Sequence, residues 1–426
     1  MISIKLWFGV YQKYKHTIFK LSIAYLLERV FISSHMTEEV FRRDGYAFEF
    51  EAHVVSVKDE EVELDLTAFY PGGGGQVCDT GTIMGFEVTE VLYRGDRIIH
   101  KVKGNDLKQG DTIWGSVDWD RRYDLMMGHT GEHLLFSSLR RQVPELTINK
   151  IFISPESKYV VVDRDVSWED VRKALVFANQ AIRDNLPITK TIMSIDDPEL
   201  EKVRIKKERI PEGEEVSVVS IGDIDLSACS GLHVMETGEL EMLFVDRKVS
   251  AGKDGVAIHF RVGIEAKDSA MGLANISLQA SEAADSKPED LVRAVSNLKA
   301  EYDALKRSAG AFVKKQVMNL TPTNINGTDV VGGVFPPVER SILSDAAEAY
   351  KSAGKVCVLV SSGDGISAMI SSGTGNIDCR EVLSKVLTGL GGRGGGKPDF
   401  AQGGVGNAST AEEVFSKLME EVVSRL

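Results

Sequence analysis

Two short segments carry the residues that could do chemistry. His129 and His133 stand in the run GHTGEHLL, and Cys229 and His233 stand in ACSGLH about a hundred residues later. Residues i and i+4 of a helix share one face about 6 Å apart, so His129 and His133 can aim two imidazoles at one point. Cys229 and His233 repeat that spacing from a second segment. Three imidazoles and a thiolate form a borderline-soft set that suits tetrahedral Zn2+ better than Mg2+ or Ca2+. The pattern predicts one zinc ion per chain, held by two distant halves.

A lone H-x-x-x-H is a common spacing. Here the same spacing returns as C-x-x-x-H in a chain with only 8 histidines and 4 cysteines, and that makes the pair specific. His16, His35, His53, His100 and His259 are scattered singly. Cys78, Cys357 and Cys379 have no spaced partner, so no disulfide framework is indicated, and a reducing cytoplasm is expected. His129 to His133 also spells H-x-x-E-H, the pattern of a zinc metallopeptidase with Glu132 as general base. That reading needs an acidic third ligand, Glu208 or Glu212, and leaves Cys229 and His233 without a role. Outside it, Glu132 is expected on a solvated helix face.

Upstream, EVELDLTAFYPGGGGQ runs from Glu61 to Gln76. Val62, Leu64 and Leu66 alternate along one strand face. Pro71 ends regular pairing, and Gly72, Gly73, Gly74 and Gly75 permit positive φ and a close backbone approach. Such a loop can turn bare N–H groups toward an anion.

In this order, FYPGGGGQ, HTGEH and CSGLH resemble the editing half of alanyl-tRNA synthetase and its free-standing relatives, the alanyl-tRNA editing proteins (AlaX). At the far end GGRGGGKPDFAQGG, Gly391 to Gly404, resembles the signature of the DHH-associated domain at the synthetase C-terminus. No aminoacylation domain is expected ahead of the editing part, so the resemblance is to the long free-standing form, from Met36 to Leu426.

The resemblance implies a trans-editing deacylase that needs no ATP. Its substrates would be Ser-tRNA(Ala) and Gly-tRNA(Ala), hydrolysed at the aminoacyl ester beside the zinc. A site that hydrogen-bonds the serine hydroxyl rejects alanine, because the alanine ester leaves polar groups unpaired. Thr147, in LTINK, is the expected hydroxyl sensor. Gln76 and the amides of Gly72 to Gly75 are expected to line the ester pocket, and Arg393 and Lys397 to contact tRNA. A tRNA-binding dimer whose zinc is only architectural is the non-enzymatic alternative.

The composition is that of a soluble multidomain protein, 43% hydrophobic and 27% charged over 426 residues. A net charge of −13 argues against indiscriminate nucleic-acid binding, so no DNA partner is expected and tRNA must meet local patches. Lys202, Arg204, Lys206, Lys207 and Arg209 form one, and Lys306, Arg307, Lys314 and Lys315 another. Residues 1–35 form an atypical extension, read as a start placed too early or, second, as an amphipathic surface helix. No apolar run approaches the ~20 residues of a membrane span, and no membrane partner is expected.

These parts must be positioned by an α+β multidomain fold. Residues 36–120, with strands such as Phe48 to Val57, Val88 to Tyr93 and Thr112 to Val117, predict a small N-terminal β-barrel. Residues 121–270 form the zinc-containing editing domain. There a helix capped at Asp118 to Asp120 carries His129 and His133 on a buried stripe of Leu125, Met126, Leu134, Leu135 and Leu139. The strands Ile151 to Ile153, Tyr159 to Asp163, Ile188 to Ile195, Val216 to Ile221, Leu240 to Val245 and Val256 to Val262 are expected in one antiparallel sheet, beside a helix from Trp168 to Asn185.

Residues 271–320 form a helical linker. Leu291, Val295, Leu298, Tyr302, Leu305, Ala309 and Phe312 mark a heptad seam that predicts a coiled coil and a homodimer. Residues 321–426 form a C-terminal α/β DHH-associated domain. Its glycine run follows a helix and is not a Walker A loop, so nucleotide hydrolysis is not expected.

Overall fold

A computed structural model describes residues 37–205, 215–363, 365–406 and 409–426. The expectations for residues 1–35, for Lys206, Lys207 and Arg209, and for Glu208 and Glu212 lie outside the described residues. The chain divides into two units, the first ending at Ile276 and the second beginning at Ser277.

In the first unit, strands β1 (Glu49–Lys58), β2 (Glu61–Leu64), β3 (Gly81–Ile83), β4 (Phe86–Arg94), β5 (Arg97–Val102) and β6 (Thr112–Val117) close a barrel in the order β1-β2-β5-β4-β3-β6. Period-two alternation builds it. Phe50, Ala52 and Val54 of β1 point inward and are buried, while Glu49, Glu51 and His53 between them face out.

Helix α1 (Trp119–Gln142) leaves the barrel at Asp118, whose side chain accepts from Arg121 N at 3.2 Å. That contact satisfies an otherwise orphaned N-terminal amide. The expected stripe is wider than its apolar residues suggest, because every residue from Gly128 to Phe136 is buried. The helix is central to its unit. It packs on α2 (Trp168–Arg183) and on strands β7 (Ile148–Ile153), β8 (Lys158–Val162), β11 (Asp225–Ala228) and β13 (Val256–Val262).

The strands that follow α1 in the first unit make two sheets where one was expected. Strands β12 (Leu243–Ser250), β13, β8 and β7 pair antiparallel in that order. Strands β9 (Ile188–Ser194), β10 (Glu215–Ile221) and β11 form a separate meander. One face of the meander has its own small core, Leu200, Val203, Val216 and Val218, so these strands bury their apolar residues without joining the larger sheet. Helix α3 (Gly263–Ala283) follows β13.

In the second unit, α4 (Leu291–Val317) precedes a six-stranded sheet of β14 (Thr323–Ile325), β15 (Thr328–Phe335), β16 (Val356–Ser361), β17 (Ile366–Ser372), β18 (Arg393–Lys397) and β19 (Phe400–Val405), in the order β14-β15-β16-β17-β19-β18. Only β15 and β16 run parallel, joined through α5 (Arg340–Ser352). Every residue of β16 is buried, as a strand covered on both faces requires. Val356, Val358 and Val360 meet α6 (Cys379–Gly389) and α7 (Ala411–Arg425), whereas Cys357 and Leu359 meet α5 and the end of α4. The glycine run read as a loop is the exposed edge strand β18. A ladder needs only backbone N–H and C=O, which glycine supplies.

Candidate metal centre

Helix α1 delivers His129 and His133 one turn apart, and the segment leaving β11 delivers Cys229 and His233. The four ligand atoms lie within 4.8 Å of one another. Cys229 Sγ is 3.5 Å from His129 Nε2 and 3.3 Å from His233 Nε2. Bonds of about 2.0–2.3 Å at tetrahedral angles separate ligand atoms by about 3.5 Å; the two Cys229 contacts match that spacing, and the four groups together could hold a metal ion. The approach of the two segments depends on Gly231, because a Cβ there would collide with the His129 ring.

Each imidazole is held from outside through Nδ1. His129 Nδ1 lies 2.8 Å from Gln76 Oε1, His133 Nδ1 lies 2.7 Å from Asp225 Oδ2, and His233 Nδ1 lies 3.1 Å from Thr130 Oγ1. Donation to the Gln76 carbonyl and the Asp225 carboxylate leaves Nε2 as the lone-pair nitrogen, the arrangement that orients ligating histidines. Asp225 is itself fixed. Ser137 Oγ and Ser227 Oγ donate to it at 2.6 Å each, and Arg204 stands 3.5 Å away. Arg204 also donates to Ser227 at 2.9 Å and lies over the Phe136 ring. It therefore supports the centre instead of forming a free phosphate patch.

Glu132 departs from its expected solvated position. Its side chain is 0% exposed, neither oxygen has a hydrogen-bond partner among the described residues, and Oε2 lies 3.7 Å from His133 Nε2. A buried carboxylate without a hydrogen bond calls for positive charge nearby. The electrostatics of the cluster agree. Burial alone would raise the Cys229 thiol, but the facing His129 and His233 pull it well below its ordinary value. Burial would likewise lower His133, yet Glu132, Asp225 and Cys229 raise it to about 10. For His233 burial prevails and lowers it to about 4. Burial opposes ionisation of Asp225, but His133 holds it below the usual carboxylate range. The cluster thus favours a thiolate and draws positive charge to it, the setting a divalent cation would occupy.

The glycine loop forms one wall. Gly72, Gly73, Gly74 and Gly75 all have positive φ, and Gly73 and Gln76 exchange backbone hydrogen bonds at 3.0 Å. The loop then joins the edge of β7, with Ile153 N donating to Gly75 O at 2.8 Å and Val77 N to Ile153 O at 3.1 Å. A Cβ on Gly75 would stand 2.7 Å from Ile151 O. Gln76 is buried, and its Nε2 has no hydrogen-bond partner among the described residues. The base of the loop is anchored by a buried ion pair. Arg122 Nε donates to Asp79 Oδ1 at 3.0 Å, Arg122 also donates to Ala68 O at 2.6 Å and Gly45 O at 2.8 Å, and Asp79 Oδ2 accepts Tyr70 N at 2.6 Å.

Of the sequence-based candidates, His129, His133, Cys229, His233, Gln76 and the glycines come together. Thr147 does not. It is exposed, its backbone is tied to Asp163, and it precedes β7 at the end opposite Ile153, roughly 20 Å of strand away. Arg393 and Lys397 lie on exposed β18 of the second unit. Of the first basic patch, Lys202 is paired with Glu199 at 2.7 Å. Sequence reasoning missed Asp225, Thr130, Asp79 and Arg122. The alternation Asp225, Ser227, Cys229 puts all three on one strand face and could have pointed to Asp225.

Comparisons with known proteins bear on both ends. Residues 26–121 match the family described as tRNA synthetases class II (A), beginning ahead of Met36, and residues 329–425 match the DHHA1 domain. The chain is 27% identical over 409 residues to the alanyl-tRNA editing protein AlaX-L of Pyrococcus horikoshii, covering 92% of this chain and 100% of that protein. It is 31% identical over 405 residues to the alanine–tRNA ligase of Pyrobaculum neutrophilum and 27% identical over 406 residues to that of Methanoregula boonei, covering 90% and 92% of this chain. In each case it spans 44% of the ligase.

Proposed function

We propose that this chain, which resembles the alanyl-tRNA editing proteins along its length, is a deacylase that clears serine or glycine from mischarged tRNA(Ala). The observation that carries the proposal is the closed set of His129, His133, Cys229 and His233 beside a positive-φ glycine loop and a buried, partnerless Gln76 Nε2. An aminoacyl ester is already activated. Holding its carbonyl among fixed donors and placing a water near it supplies most of what hydrolysis needs.

His129, His133, Cys229 and His233 would hold one Zn2+ per chain. When bound, the ion supplies a fixed positive charge that favours the charged acceptor end. Gln76 holds the His129 ring through Oε1 and offers Nε2 to the ester oxygen. Gly73 N is spent on Gln76 O, so the amides of Gly72, Gly74 and Gly75 would line the same cleft. Asp225 and Thr130 keep His133 and His233 in place, so the pocket is formed before substrate arrives. Thr147 is too distant to read the serine hydroxyl.

The rest of the proposal concerns partners. The heptad seam of α4 is exposed, with Val295 51%, Leu298 62% and Leu305 70% accessible, and it pairs with a second copy to make a homodimer. Arg393 and Lys397 on β18 contact the tRNA body. No helix among the described residues is long and apolar enough to cross a membrane, and we place the protein in a reducing cytoplasm, where Cys229 stays a thiolate.

Offering purified protein Ser-, Gly- and Ala-tRNA(Ala) beside a generic peptide, with Cys229→Ala as control, tests the reading. Loss of the seryl and glycyl esters alone supports editing, and peptide cleavage that survives Cys229→Ala supports the peptidase. Tight tRNA binding without ester turnover supports the architectural alternative.

A further inference from the structure

We propose that Lys190 is the anion-binding residue of this cleft and holds the phosphate that precedes the charged 3′ adenosine. The inference rests on the editing reading and deepens it.

Strand register places Lys190. It stands opposite Val219, and Val219 stands opposite Ser227. One step along the same face, Ile192 stands opposite Ser217, whose carbonyl accepts Cys229 N at 2.9 Å. Paired residues and their i+2 neighbours share a sheet face. Lys190 and Ile192 on β9 therefore occupy the face that carries Asp225 and Ser227 on β11 and that leads to Cys229 just beyond it. The opposite face is spent on the small core of Val216 and Val218. Two strand spacings, about 10 Å, separate β9 from the strand that delivers the thiolate.

That part of the sheet is open. Lys190 is exposed and Ile192 is 54% exposed, so the buried ligand set continues sideways into an accessible floor. Lys190 makes no ion pair among the described residues, whereas Lys202 and Arg204 of the same unit are paired with Glu199 and Asp225. Partial desolvation, then Arg42, lower its pKa, and the nearby Cys229 and Glu39 only partly oppose them. An ammonium with no ion pair among the described residues, on the face that leads toward the thiolate, can take up an anion, and a phosphodiester supplies one.

The test uses non-hydrolysable 3′-seryl-amide analogues of adenosine with and without a 5′-phosphate, bound to the full chain. In the wild type the phosphate should tighten binding roughly tenfold, the size of one charge-assisted contact. In Lys190→Gln that increment should fall below about twofold, and Lys190→Arg should restore it, while affinity for the phosphate-free analogue stays constant. An increment as large in Lys190→Gln as in the wild type overturns the proposal, as does an equal loss of affinity for both analogues. Failure of the editing reading shows separately, as wild-type protein that binds these analogues yet leaves Ser-tRNA(Ala) intact.

Discussion

His133 Nδ1 and Asp225 Oδ2 lie 2.7 Å apart, joining the helical half of the metal centre to the strand that leads into the other half. Partners of this kind, behind a ligating imidazole, fix its orientation and raise its basicity. Asp225→Asn should lower zinc affinity by about 10- to 100-fold, read by competition with a chromophoric chelator. An unchanged affinity would separate Asp225 from the centre.

Gly231→Ala attacks the same centre through space. The added methyl group meets the His129 ring, and one of the two must move. Zinc content per chain should fall, while the far-ultraviolet circular dichroism of the protein is kept. Full zinc occupancy in this variant would contradict the close approach of the two segments.

The ion pair of Arg122 with Asp79 is fully buried, 0% exposed on both sides. Removing one partner leaves an uncompensated charge inside, at a cost of about 3–5 kcal/mol. Arg122→Met should lower stability in denaturant melts by about that much, and adding Asp79→Asn should recover part of it. The glycine loop should lose its anchorage in the single variant, through the bond from Tyr70 N to Asp79.

His100 makes barrel stability depend on pH. Burial lowers its pKa to about 4, against an ordinary value of 6.5, and its ring bonds Thr67 Oγ1 and Val62 O. The unfolded chain takes up a proton near 6.5 and the folded barrel only near 4, so the unfolded state binds more protons in between. The contribution is complete above the unfolded value and is lost as pH falls from there toward the folded one. It amounts to roughly 3 kcal/mol at about 1.4 kcal/mol per pH unit. Melts at several pH values should show a slope that His100→Gln flattens, and parallel profiles for both proteins would refute the assignment.

The seam of α4 makes a prediction about assembly. Leu298→Asp with Leu305→Asp places charge on two of its exposed apolar positions and should convert a dimer to a monomer in sedimentation equilibrium. The same mass for both proteins would remove the seam from the interface.

Much of this was legible in the sequence, and the reasons are local. The ligands declared themselves because a metal demands rare residue types at fixed spacing, and the helices announced themselves by caps such as Asp118. Strands with strict alternation, Phe50 to Val54 for one, were equally plain. What long-range pairing decides was not plain. Nothing local tells β9 to β11 to leave the larger sheet, or tells Arg393 to Lys397 to pair with β19. Glu132 read as solvated because its periodicity says nothing of how deeply α1 is enclosed. Thr147 was placed from motif order, and β7 carries it away from the centre.

X-ray absorption at the zinc edge of the purified chain tests the central claim most directly. Convergence of His129, His133, Cys229 and His233 predicts one zinc per chain, with three nitrogen neighbours at about 2.0 Å and one sulfur at about 2.3 Å, and loss of the sulfur shell in Cys229→Ala. A chain without stoichiometric zinc, or a shell free of sulfur in the wild type, would contradict it.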